Sequence, residues 1–241
     1  MLTDFVRAWN QGNNPDLYEI ENAAMDREET VWDALNDVAP WAGRTLLDLG
    51  CGTGFWLPRY AIQAREVIGV EPDVDLLERA RSRTPAALVL HGSAEHIPLA
   101  NASVDVVHAR FAYFFPTPGN DCSAGLSEVM RVLRPGGTLV VIDNDQVNGE
   151  FAELLALSSA GEAQGYEDHI REWWSSQGAH TTAVMSSWEF NTPHDLRAVI
   201  SMEFPDGIAQ TWLNADPERR ELSYGYLLHH IGRPVGRDGM S

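Results

Sequence analysis

Short apolar runs alternate with helix-like segments through the middle of the chain. The runs are Thr45–Leu49, Val67–Val70, Ala87–Leu90, Val104–Ala109 and Thr138–Ile142. Each has the length of a buried strand, and residues 55–64, 73–83 and 121–133 between them look helical. Strands that alternate with helices are typical of βαβ units, so the pattern predicts an α/β fold with a doubly wound, mostly parallel sheet.

The pattern changes on both sides of this region. Residues 17–38 have apolar positions at helical spacing, as do residues 149–178. Ala183–Phe190 and Leu222–Ile231 are two further strand candidates. We therefore expect a helical N-terminal cap (1–40), a main domain (41–233) with a helical insert (149–180), and a disordered tail (234–241).

The chain is strongly acidic, with 35 Asp and Glu residues against 17 arginines, no lysine and a formal net charge of −18. A field of this sign repels phosphate backbones, so we expect no nucleic acid partner. No apolar run approaches the ~20 residues of a membrane helix, so we expect no membrane partner. The two cysteines, Cys51 and Cys122, form no disulfide framework, which favours the cytoplasm. The oligomeric state stays open.

A glycine-rich turn follows the first predicted strand and reads Gly50-Cys51-Gly52-Thr53-Gly54, directly after Asp48-Leu49. Glycine permits a tight turn and a close approach to a ligand, and the helix that follows would offer free N–H groups to an anion. Glu71 closes the second strand. The carboxyl ends of neighbouring parallel strands meet at one edge, where Glu71 could bind ribose hydroxyls and Asp48 a ligand ammonium.

The spacing of the glycines in this turn argues against two common nucleotide-binding motifs. A nicotinamide dinucleotide fingerprint reads G-x-G-x-x-G, one residue longer than the turn found here. A P-loop needs a lysine, which the chain lacks. The turn and its two acids therefore predict a site for another nucleoside-bearing ligand.

Four segments together resemble the class I S-adenosylmethionine-dependent methyltransferases, in their methyltransferase-11-like, ubiquinone-pathway-type small-molecule branch. These are residues 46–54, Val70–Asp73, the pair Gly92–Leu99 and Ser103–Val107, and Leu133–Leu139, which contains Leu-Arg-Pro-Gly-Gly. The resemblance covers residues 40–145 firmly. It implies a Rossmann-like, seven-stranded sheet with an antiparallel last strand, S-adenosylmethionine as the cofactor, and a small-molecule substrate.

The resemblance also implies a set of cofactor-binding residues. These are Asp48, Gly50, Cys51 and Gly52 at the methionine part, Glu71 and Pro72 at the ribose and adenine, Ser93, Ala94 and Glu95 at the adenine edge, and Arg110 at the amino-acid end. Many relatives carry Asp at the place of Ser93, and a hydroxyl is the weaker acceptor. Arg110 is a second departure, and a long cation there could pair with a carboxylate of the cofactor or substrate.

Methyl transfer depends chiefly on alignment, so a general base is not always required. Tyr113 and His169 are the candidate bases. Tyr18, Phe114, Trp173 and Trp174 are candidate substrate contacts, and their rings would suit an apolar or aromatic acceptor. The alternative that Trp173 and Trp174 pin a helix to the core stays equally open. We expect no metal site, because no cluster has ligand spacing.

The acceptor atom (O, N or C) is not fixed by the sequence. A non-catalytic protein that binds S-adenosylmethionine or S-adenosylhomocysteine would need the same binding residues, so it remains an alternative to an enzyme.

Overall fold

A computed structural model describes residues 2, 4–117, 119–158, 166–204 and 207–235. One seven-stranded sheet forms its centre, in the order β3-β2-β1-β4-β5-β7-β6. The strands are β1 (Thr45–Leu49), β2 (Glu66–Glu71), β3 (Leu88–His91), β4 (Val104–Arg110), β5 (Leu133–Asn144), β6 (His180–Glu189) and β7 (Glu221–Gly232). The first five strands pair in parallel, and β7 is antiparallel to both β5 and β6. This confirms the predicted fold class.

Ten helices accompany the sheet in the described part of the chain. They are α1 (Trp9–Asn13), α2 (Pro15–Ala24), α3 (Thr30–Val38), α4 (Leu57–Tyr60), α5 (Val74–Arg83), α6 (Ser123–Val132), α7 (Glu150–Ser158), α8 (Tyr166–Ser176), α9 (Pro193–Glu203) and α10 (Gln210–Ala215). All five residues of β1 are buried, as expected for a central parallel strand that is covered on both faces.

Alternate residues along the strands pack into two separate hydrophobic cores, one on each face of the sheet. On one face, Leu46, Val106 and Ile142 pack with the apolar sides of α3, α7 and α9. On the other face, Leu47, Val107 and Val141 pack with α6 and with Ile170, Trp173 and Trp174 of α8. The carboxyl ends of the parallel strands lie between these two layers of helices, at one edge of the sheet.

The predicted helix over residues 17–38 is two helices with a break at residues 25–29. Asp26 has φ +51° and is buried, and its carboxylate accepts hydrogen bonds from the N–H groups of Val31 (2.9 Å) and Trp32 (3.0 Å). These are free donors of the first turn of α3, so Asp26 caps that helix from outside it. The apolar periodicity does not reveal this cap, because it continues across the break.

Other boundaries also differ from the predictions. The fifth strand begins at Leu133 instead of Thr138, and α10 was not predicted. In the insert, α7 and α8 flank residues 159–165, which lie outside the described residues, as does most of the predicted tail. None of the described helices is long and apolar enough to span a bilayer.

Candidate cofactor site

The glycine turn after β1 requires glycine on steric grounds. Gly50 and Gly52 have φ angles of +74° and +57°, which side chains rarely adopt. A Cβ at Gly50 would lie 2.6 Å from the Cβ of Ala112 in the segment after β4. The turn therefore lies directly against that segment, at the edge where β1 and β4 end.

Several backbone N–H groups of this turn are paired within the protein. Those of Gly50 and Cys51 donate to the carbonyl of Val70 (2.8 and 3.1 Å), and that of Gly54 donates to the carbonyl of Cys51 (2.9 Å). The following helix, α4, has only four residues and begins at Leu57. The first two of these amides hold β1 to β2, and the expected anion site at the start of the helix stays a prediction. A pyrophosphate would lack these donors.

Glu71 joins the turn to the second strand. Its Oε2 accepts the N–H of Gly52 (2.7 Å) and its Oε1 accepts the N–H of Asp73 (2.9 Å). Burial raises the pKa of Glu71 to about 7, against the lowering effect of these two N–H groups. Each carboxylate oxygen has a further lone pair, so Glu71 can hold the turn and still accept two hydroxyls.

Asp48 and Arg110 place opposite charges at the ends of neighbouring strands. Asp48 is 5% exposed, and burial raises its pKa to about 6, while the positive charge of Arg110 opposes the rise. Arg110 donates to Asn22 Oδ1 (2.7 Å) and to the Tyr18 hydroxyl (3.3 Å), and its guanidinium lies 4.5 Å from the centre of the Trp56 ring. Among the described residues, no carboxylate forms a salt bridge with Arg110.

The N-terminal segment covers this edge from above. The Tyr18 ring would lie 3.3 Å from a Cβ at Gly52, so it rests on the turn. At the end of β3, Asp4 accepts hydrogen bonds from Ser93 Oγ and from His96 Nδ1 (2.6 Å). Asp4 in the N-terminal cap thus places a carboxylate beside Ser93, at the position where the family resemblance implies an acid.

Comparison with known proteins identifies the central segment of the chain. A family model described as a methyltransferase domain matches residues 47–141, the segment that contains the turn, Glu71, Ser93 and Arg110. This segment of the chain is therefore similar to methyltransferase domains. Within this methyltransferase fold, the match ends near the close of β5, so the leader and the α7–β7 region lie outside it.

Individual relatives agree. An uncharacterised methyltransferase of Mycobacterium tuberculosis is 38% identical over 124 residues, which are 51% of this chain and 49% of that protein. The chain thus spans about half the length of this mycobacterial relative. The malonyl-[acyl-carrier protein] O-methyltransferase of Yersinia pestis is 29% identical over 82% of this chain and 66% of its own. A candidate type II methyltransferase from Anaeromyxobacter dehalogenans shares the fold, with TM-score 0.60 and 20% identity over 86% of this chain and 97% of its own.

The remaining cofactor candidates lie around the same edge. Ser93 and Ala94 are buried after β3, and the Pro72 carbonyl is 3.1 Å from His91 Nε2. Glu95 accepts the Tyr113 hydroxyl (3.0 Å). The Cys51 thiol is buried, and burial raises its pKa well above the usual value, so the thiol stays protonated.

Tyr113 has a demanding position. The segment after β4 holds two non-glycine residues at positive φ, Phe111 (+48°) and Tyr113 (+60°), and such strain is concentrated at functional sites. The Tyr113 hydroxyl donates to Glu95 and accepts the N–H of Gly125 (3.1 Å), and burial raises its pKa. Burial and the hydrogen bond to Glu95 oppose its use as a base, whereas the N–H of Gly125 acts in the other direction. The role as a base therefore stays a prediction with a physical argument against it.

The other candidates are not brought together. Phe114, Trp173 and Trp174 are all buried in the core on the α8 face, with Phe114 and Trp174 ring centres 5.7 Å apart. This favours the alternative that the tryptophans pin α8 to the sheet. His169 is partly buried on α8, and no hydrogen bond from the described residues reaches its Nε2. Of the four substrate candidates, only Tyr18 contacts the glycine turn.

Sequence reasoning missed one acid at this edge. Asp143 lies near the end of β5 and is 4% exposed, and burial raises its pKa to about 6. It follows the apolar run Val140-Val141-Ile142. The signal was available, because the same rule of an acid at a strand end identifies Asp48 and Glu71.

Proposed function

We propose that this chain is a methyltransferase that uses S-adenosylmethionine and transfers its methyl group to a small molecule. The observation that carries the proposal is that buried acids stand beside a cation that forms no salt bridge among the described residues. Asp48 and Glu71 end neighbouring strands, and Arg110 beside them has no carboxylate partner among the described residues. A ligand with an α-amino acid group and a ribose fits these charges, since Arg110 can receive its carboxylate, Asp48 its ammonium and Glu71 its hydroxyls.

When bound, S-adenosylmethionine supplies a methyl group that its sulfonium already activates. The residues of the chain bind and orient. Arg110 and Asp48 would fix the amino-acid end, Glu71 would fix the ribose, and Ser93 with Asp4 would border the adenine. Tyr18 on the leader would exclude water from the turn. Alignment of this kind is worth roughly 7–11 kcal/mol in well-oriented systems, so a dedicated base is not required.

The N–H groups of Gly50, Cys51, Gly52 and Gly54 are paired within the protein, which supports this cofactor over a dinucleotide. A pyrophosphate needs free N–H donors, whereas an adenosyl group with an amino-acid tail needs acids and one cation. The expected apolar or aromatic acceptor is less well supported, because the rings of Phe114, Trp173 and Trp174 pack on one another.

Calorimetric titration with S-adenosylhomocysteine and with NAD tests the cofactor. Glu71→Gln should weaken S-adenosylhomocysteine binding by about 1–3 kcal/mol, because charge-assisted hydrogen bonds are lost. Glu78→Gln on the exposed side of α5 is the matched control and should change nothing. Tighter binding of NAD, or equal affinities in both variants, would contradict the proposal.

Transfer of a labelled methyl group then separates an enzyme from a binding protein. The expected result is label in at least one class from a panel of amines, phenols, carboxylates and carbon nucleophiles. Tight S-adenosylhomocysteine binding without transfer to any class would instead support the non-catalytic alternative.

A further inference from the structure

A cavity of about 290 Å³ lies between α8 and the sheet, at the edge where β5 ends. Asp143, Leu227 and His229 line it from the sheet, and Ile170 and Arg171 line it from α8. The segment 144–148 after β5 and the exposed residues Thr181 and Ala183 of β6 complete it. We call it the Asp143 cavity.

Asp143 is a buried carboxyl without a cation. One oxygen, Oδ1, accepts the N–H of the adjacent Asn144 (2.7 Å). The other accepts no hydrogen bond from the described residues, and no arginine or histidine among them forms a salt bridge with it. A buried carboxylate is costly unless it is paired, so this oxygen calls for a positively charged hydrogen-bond donor.

His229 provides a second unsatisfied polar group on the same wall. It is 1% exposed, its Nδ1 lies 2.9 Å from Thr181 Oγ1, and its ring stacks on Trp174 with centres 5.1 Å apart. Its Nε2 is buried and has no partner among the described residues. Burial lowers the pKa of His229 to about 4, so the ring is neutral and adds no positive charge to the cavity.

The remaining charges favour a cation. Asp145 and Glu167 also line the cavity, and the one lining arginine, Arg171, is paired with Glu167 and with Asp168 (3.2 Å). The net charge of −18 acts in the same direction. Apolar side chains of Val147, Ile170, Ala183 and Leu227 line the rest. A small apolar molecule that carries a protonated amine matches this lining.

The position of the cavity connects it to the cofactor site. In the β4–β5 pairing, Arg110 stands opposite Ile142, and the N–H of Phe111 donates to the Ile142 carbonyl (3.0 Å). Asp143 is the next residue along β5. Asp143 thus lies near the same edge of the sheet as the proposed cofactor site, one residue beyond the strand pair that carries Arg110.

We propose that the methyl acceptor binds in the Asp143 cavity through a protonated amine, which Asp143 holds. Because an ammonium has no lone pair, this group anchors the molecule, and a different atom of the acceptor receives the methyl group. The acceptor role rests on the proposed function, whereas the binding of an amine can be measured without any methyl transfer.

Three probes that share a benzyl or phenyl body test the charge preference by calorimetry in the presence of S-adenosylhomocysteine: benzylamine, benzyl alcohol and benzoate. Benzylamine should bind most tightly and benzoate not measurably. Asp143→Asn should weaken benzylamine binding about tenfold to a hundredfold and leave benzyl alcohol within about threefold. Glu172→Gln, which removes an exposed charge on α8 outside the cavity, should leave benzylamine binding unchanged.

A second variant tests the cavity without changing Asp143. Ala183→Phe fills the cavity from the exposed edge strand while Asp143 remains, and it should abolish binding of benzylamine but retain that of S-adenosylhomocysteine. Equal binding of the three probes, or benzylamine binding that survives Ala183→Phe, would overturn the amine site.

The two proposals fail in different ways. Binding of S-adenosylhomocysteine with no Asp143-dependent binding of benzylamine overturns the cavity assignment and leaves the cofactor site intact. Asp143-dependent binding of amines, with label appearing only in acceptors that lack an amine, overturns the acceptor role of the cavity. Absence of S-adenosylhomocysteine binding overturns the proposed function itself.

Discussion

Buried acids end β1, β2 and β5, yet their surroundings differ. At the cofactor edge, Glu71 accepts two backbone N–H groups and Asp48 feels the charge of Arg110. At the Asp143 cavity, Asp143 accepts only the N–H of its own neighbour. Burial raises the pKa of all three acids, to about 6 or 7. The comparison teaches that the cofactor edge is largely preorganised, whereas the cavity keeps a carboxylate that the described residues do not neutralise.

The largest expected effect is on the free energy of unfolding and concerns Asp143. Its pKa is about 6 in the folded chain against 3.8 normally, so ionisation costs stability. The cost is absent below pH 4, grows between pH 4 and 6 and is complete above that range. Asp143→Asn should therefore raise the free energy of unfolding by about 3 kcal/mol at pH 8 and by little at pH 4.

Urea unfolding at the two pH values measures this difference. Asp168→Asn, an exposed acid on α8, is the control and should give the same small change at both. A stability gain at pH 4 as large as that at pH 8 would show that Asp143 is not an unpaired buried carboxylate.

The next effect is on cofactor affinity and concerns Arg110 at the cofactor edge. Arg110→Met removes the cation but keeps an apolar stem, so S-adenosylhomocysteine should bind about 1.5–3 kcal/mol more weakly. 5′-Methylthioadenosine lacks the amino-acid group and should bind the variant and the parent chain alike. If both ligands lost affinity equally, Arg110 would act by supporting the leader rather than by binding a carboxylate.

The pH dependence of cofactor binding is the next effect in size. Glu71 and Asp48, with pKa values of about 7 and 6, must be ionised to accept ligand donors. Affinity for S-adenosylhomocysteine should therefore be nearly constant above pH 8 and fall about twentyfold, or ~1.8 kcal/mol, by pH 6. Calorimetry across this range on the parent chain and on Glu71→Gln should show that the variant loses the upper step. A flat profile in the parent chain would contradict ionic binding by these acids.

How far the sequence predicts this site depends on the distance between partners in the chain. The glycine turn and Glu71 follow from local rules, because a strand end, a turn and the next strand end are close in sequence. Tyr18 and Arg110 are 92 residues apart, and Asp4 and Ser93 are 89 apart. The periodicity of the N-terminal cap predicts helices but gives no information on such distant contacts. The sequence therefore predicts a helical cap but not the residues that it contacts.

The roles of the aromatic residues depend on tertiary contacts in a related way. Trp173 and Trp174 are on an amphipathic helix, and the sequence does not tell a pocket wall from a core contact. Both are buried, and Trp174 contacts Phe114 and His229, which favours the core. The contact between His229 and Thr181, by contrast, follows from the pairing of β6 with β7, which the sequence pattern alone does not give.

The smallest effect concerns the leader. Tyr18→Phe keeps the ring on the glycine turn and removes only the hydroxyl that accepts from Arg110. We expect the affinity for S-adenosylhomocysteine to change by less than about 1 kcal/mol, because the Asn22 hydrogen bond still holds Arg110. Calorimetry on the variant, with Tyr166→Phe on α8 as control, measures it. A loss as large as that of Arg110→Met would make the hydroxyl part of the binding site.

A crystal structure of the full chain with S-adenosylhomocysteine examines the central assignment most directly. The account predicts ribose hydroxyls on Glu71, the amino-acid carboxylate on Arg110 and its ammonium on Asp48, under the ring of Tyr18. A nucleoside bound elsewhere, with Arg110 still on Tyr18, Asn22, Met25 and Trp56, would contradict it.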